Sequence, residues 1–254
     1  MQARVTTQHG WYVISLRPSG GHDAMRRAAA RHGAGLIALS PWRLQHRDGP
    51  ADIAALGTAL AAPKVIFTSP NAVAAARSLR PLQALSGQQW FAVGAGTAAA
   101  LRRAGIRDVH APQRMDSEGL LDLPGLSGLD GIDVGFVSAP GGRGVLVPSL
   151  QARGARVHRA DVYERVAVPP SPQAVARLQS LPAPAVLALS SGEALQHLVD
   201  TLPAVALAAL RQATVAAASD RLAGLARELG FQRVVLARGP RPADLVAAAA
   251  STRT

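Results

Sequence analysis

Short, unbroken apolar runs separated by helical patterns recur along this chain, and no other feature restricts its fold so tightly. WYVISL (11–16) precedes a helical pattern from Asp23 to His32, which runs on to GLIAL (35–39). VIF (65–67) leads into a pattern beginning near Asn71, WFAV (90–93) into Thr97–Ala104, and DVGFV (133–137) into Gly144–Arg153. A strand with one wet face alternates polar and apolar residues. These runs do not, so both of their faces must be covered. Parallel strands returned by right-handed helical crossovers meet that requirement, and the expected class is α/β.

The order of segments occurs twice. RHGAGLIALSPW (31–42) parallels ARGARVHRADVY (152–163), and VIFTSPNAV (65–73) parallels LALSSGEAL (187–195). WFAVGAGTAAALRRAGI (90–106) parallels TVAAASDRLAGLARELGF (214–231), and SEGLLDL (117–123) parallels PADLVAA (242–248). Four weak matches in one order indicate two copies of one unit. WRLQHRDGP (42–50) and YERVAVPPSP (163–172) follow corresponding strands and run into proline-rich breaks, which suggests a two-stranded connection. One lobe is then continuous and the other is assembled from both ends of the chain. A cleft between lobes is the default ligand site.

Composition narrows the functional classes. Of 27 Lys+Arg residues only Lys64 is lysine, and with 16 Asp+Glu the formal charge is +11. The excess suits an anionic partner, although an arginine-rich coding bias explains part of it. The densest pairs, Arg26-Arg27 and Arg102-Arg103, form no basic arm, and aromatic residues are 4%, too few for base stacking; no nucleic-acid partner is expected. The absence of cysteine excludes disulfides and thiol chemistry. MQARVTTQHG has no apolar core, and PAVALAAL (203–210) is cut by Arg211, so neither a signal peptide nor a membrane span is expected and a cytoplasmic location is.

Ligands of open α/β sheets bind at the carboxyl ends of the strands. The residues there are small or polar: Arg17 and Pro18; Thr68, Ser69 and Asn71; Gly94, Gly96 and Thr97; Ser138, Gly141, Gly142 and Arg143; Ser190 and Ser191; Ser219. Helix N-termini among them suit anions, while the plainer role for Ser69, Asn71, Ser191 and Ser219 is helix capping. VGAGTAA (93–99) fits a dinucleotide fingerprint, but its repeat partner AASDRLA (217–223) lacks the glycines and the strand ending VHAP (109–112) brings no acid. The histidines, including His46, His110, His158 and His197, show no metal-ligand spacing, and no metal or cofactor is expected. Glu118, Glu164, Glu193 and Glu228 are the only glutamates, and no paired acids stand at the strand ends. Chemistry here would rest on positioning and electrostatics. Tyr163, one of two tyrosines, ends the strand entering the connection, where a phenol could donate to a leaving hydroxyl or pack as Trp42 does in the first half.

Taken together, LRP (16–18), FTSPNAV (67–73), AVGAGTAAAL (92–101), GGRGVLVPSLQARGA (141–155), VYERV (162–166) and ASDRLAGLARELGF (218–231) resemble the uroporphyrinogen-III synthase family over about residues 12–250. The resemblance implies two similar flavodoxin-like lobes with parallel sheets, joined by a two-stranded β-ladder. Residues 1–45 with 165–254 would form the discontinuous first lobe and 46–164 the second, with connecting strands at about 42–48 and 162–168. It further implies a lyase that removes water from hydroxymethylbilane, a linear tetrapyrrole with eight carboxylates, and closes it with the terminal ring inverted. No cofactor is implied, nor any membrane partner; a monomer is expected, in transient contact with the enzyme that supplies its substrate. Thr68, Ser69 and Asn71 match the family's Thr-Ser-x-Asn, Tyr163 its cleft tyrosine, and Gly142-Arg143 its Gly-Arg. Ser138-Ala139 stands where relatives often carry Arg-Gly, and Ser190-Ser191 replaces Thr-Ser. The rival reading is a two-lobed binding module for anionic ligands without catalysis.

Overall fold

The computed structural model describes residues 10–114, 117–141, 144–181 and 184–252. Along the chain stand β1 (Tyr12–Ser15), α1 (Asp23–Arg31), β2 (Gly35–Ala38) and β3 (Trp42–His46). They are followed by α2 (Pro50–Ala61), β4 (Lys64–Phe67), α3 (Pro70–Leu79), β5 (Gln89–Ala92), α4 (Ala95–Arg103) and α5 (Ser117–Leu121). Then come β6 (Asp133–Ser138), α6 (Leu146–Ala152), β7 (Arg156–Asp161) and β8 (Tyr163–Ala167). The remaining elements are α7 (Pro172–Gln179), β9 (Ala185–Leu189), α8 (Gly192–Thr201), α9 (Ala204–Arg211), β10 (Thr214–Ala217), α10 (Asp220–Glu228), β11 (Val234–Leu236) and α11 (Pro242–Ser251). The chain divides into two compact units, one built from residues up to Leu44 with those from Arg165 onward, the other from Gln45–Glu164.

The first unit holds a parallel sheet in the order β11-β10-β9-β1-β2. Each of its central strands sends alternate residues to opposite faces, and both faces are covered. Tyr12, Ile14 and Leu16 pack with Leu187, Leu189 and Val215 beneath α7, α8, α9 and α10. Trp11 and Val13 pack with Val186 and Ala188 against Met25, Ala28 and Ala29 of α1 and Leu245, Val246 and Ala249 of α11. Every residue of β1 and β9 is therefore buried, which is why their sequence is continuously apolar.

The second unit holds the parallel sheet β5-β4-β6-β7. Ile66, Phe91, Val134 and Phe136 meet Leu120, Leu121, Leu146 and Leu150 of α5 and α6 on one face. The stretch expected as a strand ending VHAP contributes only a single parallel bridge, Phe91 to His110, and exposed Arg107 and Asp108 interrupt its apolar run. Counted from β9, the first sheet runs 3-2-1-4-5; counted from β4 and including that bridge, the second also runs 3-2-1-4-5. The two units thus share one strand order, cut at different points in the chain. β3 and β8 form a separate two-stranded sheet. PAVALAAL becomes α9, an additional helix of the first unit, and among the described residues no helix is long and apolar enough to cross a membrane.

Close helix–strand approach depends on one glycine. α2 lies so near β6 that a Cβ at Gly135 would overlap the backbone carbonyl of Ala59. Gly135→Ala is expected to lower stability by about 1–3 kcal/mol. Gly224, inside α10 with open space around it, gives the opposite sign: Gly224→Ala is expected to raise stability by about 0.5–1 kcal/mol. Urea-unfolding midpoints of the two variants check both.

Candidate functional site

In open α/β sheets, ligands collect outside the carboxyl ends where adjacent strands send their connections to opposite faces. The strand orders put that point between β4 and β6 in the second unit and between β1 and β9 in the first.

At the β4–β6 point the hydroxyl of Thr68 lies 2.9 Å from that of Ser138, and the Thr68 amide donates to Val137 O at 3.2 Å. The next residue, Ser69, caps α3 by accepting the Ala72 N–H at 3.0 Å, and its Oγ also lies 3.2 Å from the hydroxyl of Tyr163. Capping and site-building therefore coincide in one side chain. Ala72 occupies a lone pair of Ser69, so the serine proton can turn towards the phenol, which then keeps its own proton for a ligand. Tyr163 opens β8 rather than ending the strand before it, and the residue is only 4% exposed. Asn71 is no cap; it is exposed in the first turn of α3. Gly94 caps α4 through its backbone, Thr97 is buried in the first turn of that helix, and Gly96 approaches Pro70 at the start of α3. Two helix N-termini are thereby brought side by side, each presenting unpaired N–H groups.

At the β1–β9 point Arg17 follows β1, and Ser190 and Ser191 follow β9. Ser191 caps α8 through the Ala194 N–H at 3.3 Å, whereas Ser190 is exposed and outside the cap. Ser219 caps α10 through Leu222 N–H at 3.5 Å. The Nε of Arg17 is buried with no partner among the described residues, and burial pulls its pKa down. A desolvated, unmatched guanidinium N–H is a donor waiting for an acceptor.

Beside Arg17 stands a residue the sequence pattern did not single out. His22 is 5% exposed, with Nδ1 3.0 Å from Ser15 Oγ and Nε2 2.7 Å from Ser40 Oγ, so it clasps the loop carrying Arg17 between the ends of β1 and β2. Burial, then the charges of Arg26 and Arg17, push its pKa down against a small opposing effect of Asp23. Its buried setting was invisible because the serines that meet it come from the end of β1 and from the segment after β2, 25 residues apart. His197 stacks on Trp42 at 4.8 Å, and its Nε2 is buried without a partner among the described residues. An acid also reaches a strand end: Asp161 is the register partner of Ser138 and pairs with Arg159. Gly142 and Arg143 lie outside the described residues.

The arginine excess has a structural use away from these ends. Arg102 donates to Val109 O at 3.0 Å, Arg153 to Leu121 O at 2.5 Å and Leu126 O at 2.8 Å, and Arg211 to Leu229 O at 3.0 Å. Asp133, at the amino end of β6, is held well below the usual carboxylate range by hydrogen bonds from Arg156 and His158. Among the described residues no group of three or more His, Asp or Glu side chains is arranged to hold a metal ion.

Residues 23–247 match the family model described as uroporphyrinogen-III synthase HemD. The chain is 35% identical over 151 residues to the uroporphyrinogen-III synthase of Salmonella typhimurium and 34% identical over 150 residues to that of Escherichia coli K12. Those matches cover 59% and 58% of this chain and 61% of each relative, so the alignment spans about three fifths of their length. In fold, the chain is similar to a mutant uroporphyrinogen III synthase from the extremely thermophilic bacterium Thermus thermophilus, with TM-score 0.58 and 20% identity over 96% of this chain and 99% of that one. The uroporphyrinogen-III synthetase of Helicobacter pylori 26695 matches with TM-score 0.61 and 15% identity over 95% and 99%.

The His22 clasp has a pH consequence. The folded chain binds this proton less readily than the unfolded chain, so acidification through and below the ordinary histidine range favours unfolding; above it, where both states are neutral, nothing is lost. The melting temperature is expected to fall between pH 7.5 and pH 5.5 in the wild type, and less steeply in His22→Gln. Thermal melts of both proteins across that interval check the sign.

Proposed function

The chain belongs to the uroporphyrinogen-III synthase family, and on that premise we propose that it converts hydroxymethylbilane to uroporphyrinogen III as a cyclising lyase. In this reading the terminal hydroxyl departs as water, the azafulvene left behind attacks the last pyrrole, and the spiro intermediate reopens with that ring inverted before the macrocycle closes. Overall one molecule of water is lost, and no redox partner is required. The substrate is reactive by itself, so the protein's task is to hold one folded conformation long enough for inversion to outrun direct closure.

The observation that carries the reading is the Ser69–Tyr163 contact at 3.2 Å, which holds a phenol beside the β4–β6 point and the N-terminus of α3. Tyr163 donates to the leaving hydroxyl, and Ser69 fixes the phenol's direction. Thr68, Asn71, Gly94, Thr97 and Ser138 offer hydroxyls, an amide and helix N–H groups to substrate carboxylates on this unit. Arg17, Ser190, Ser191 and Ser219 do so on the other, and Gly142 and Arg143 belong to the same proposal. The unpartnered Nε of Arg17 supports its share, since a carboxylate would satisfy a donor that burial has cut off from water. The reading takes the units as two flavodoxin-like lobes, residues 1–45 with 165–254 and 46–164, joined by the ladder of β3 and β8. It also takes the protein as a cytoplasmic monomer in transient contact with the enzyme that delivers its substrate.

Incubation with hydroxymethylbilane and separation of the isomers tests this directly. Isomer III is expected; isomer I alone, as in a protein-free blank, would remove the proposal in favour of a binding module without catalysis. Tyr163→Phe is expected to lower kcat roughly 10²-fold, as for loss of a positioned proton donor, with little change in melting temperature. Unchanged turnover would make Tyr163 a packing residue only.

A further inference from the structure

Arg159 and Asp161 occupy the same face of β7, two residues apart on an edge strand. Their register partners on β6 are Phe136 and Ser138, so both side chains lie at the carboxyl end of the sheet, on the β6 side of the switch point. The guanidinium is held on one edge: Nε lies 3.1 Å from each Asp161 oxygen, and Nη2 lies 3.0 Å from Asp161 Oδ1. Nη2 also donates to Ala139 O at 3.3 Å, the carbonyl that Ser138 Oγ approaches at 3.4 Å. One hydrogen-bonded row therefore runs from Thr68 through Ser138 and Ala139 to Arg159 and Asp161. The far edge of the fork, Nη1, has no partner among the described residues, and the two side chains are 41% and 21% exposed.

An ion pair this exposed contributes little to stability, about 0–1 kcal/mol. Its geometry does something else. Asp161 and Ala139 fix the plane of the guanidinium, and Nη1 is left open at the end of the row that begins at Thr68.

We propose that Arg159 is a carboxylate-binding, specificity-determining residue of the second unit, and that Asp161 is its built-in counter-ion, opposing the incoming carboxylate. The inference rests on the synthase reading for the identity of the ligand, a polycarboxylate tetrapyrrole, and adds to it a cation and an anion that the small-residue pattern did not contain. Arginine suits the role because its planar fork can serve Asp161 with one edge and a ligand with the other, which a lysine ammonium cannot do. Asp161 keeps the guanidinium oriented and raises the threshold for occupancy, so that a single stray carboxylate gains little while a substrate anchored elsewhere overcomes the repulsion.

Two substitutions separate this from a purely structural pair, because they move binding in opposite directions. Arg159→Gln is expected to raise KM for hydroxymethylbilane roughly tenfold, with a smaller change in kcat. Asp161→Asn keeps an acceptor for Arg159 but removes the opposing charge, and is expected to lower KM several-fold. The same order is expected for the Kd of uroporphyrin I, an octacarboxylate probe read by fluorescence titration without turnover. KM and Kd unchanged in both variants, or moved the same way with parallel losses of melting temperature, would overturn the inference and leave a structural pair. Wild-type protein that binds uroporphyrin I but forms no isomer III overturns the synthase reading alone, and the Kd order then decides for or against Arg159. Wild-type protein that neither binds the probe nor turns over substrate overturns both.

Discussion

Parallel strands cannot be joined by tight turns, and each return must cross a face of the sheet; both sheets here depend on that constraint. Every crossover helix must bury one side, so the strands beneath are apolar on both faces, as the fully buried β1 and β9 are. Every crossover also starts at a carboxyl end, where a strand stops and a helix must begin. Such junctions gather unpaired helix N–H groups, small residues that let the chain turn, and hydroxyls that cap. The polar edge of each sheet is thus a by-product of the apolar core.

That origin explains why capping and binding are hard to separate in this molecule. Ser69, Ser191 and Ser219 all cap helices. What distinguishes Ser69 is a second contact, to Tyr163, from a strand 94 residues further along. Ser191 and Ser219 make no comparable second contact among the described residues. A cap is a local matter, whereas a cap that also orients a phenol requires the chain to return to the same place.

Charge follows a similar division. A net charge of +11 suggests a surface made to attract anions, yet Arg102, Arg153 and Arg211 spend their donors on carbonyls at helix ends and in loops. These are arginines used as staples, since a planar fork reaches carbonyls that backbone pairing leaves open. Among the described residues at the strand ends, two basic groups are individually placed: Arg17, whose Nε is desolvated, and Arg159, held by Asp161. Position rather than total charge is what would let a polycarboxylate be gripped in one conformation.

The sequence by itself determined the α/β class, most strand and helix positions and the ordered repetition of segments, because periodicity and burial are properties of neighbouring residues. The small polar residues at strand ends were legible for the same reason. Less was legible where exposed charges interrupt an apolar run, as Arg107 and Asp108 do before Val109, or where an apolar stretch such as PAVALAAL added a helix outside the repeat. Only the tertiary structure decided which of those residues meet. Thr68 reaches Ser138, Ser69 reaches Tyr163, and His22 reaches Ser15 and Ser40 through strand adjacency and register. Asp161 stands beside Ser138 because β7 pairs with β6 in one alignment and no other. Register is set by the summed packing of whole strands and helices, and no short stretch of sequence contains that sum.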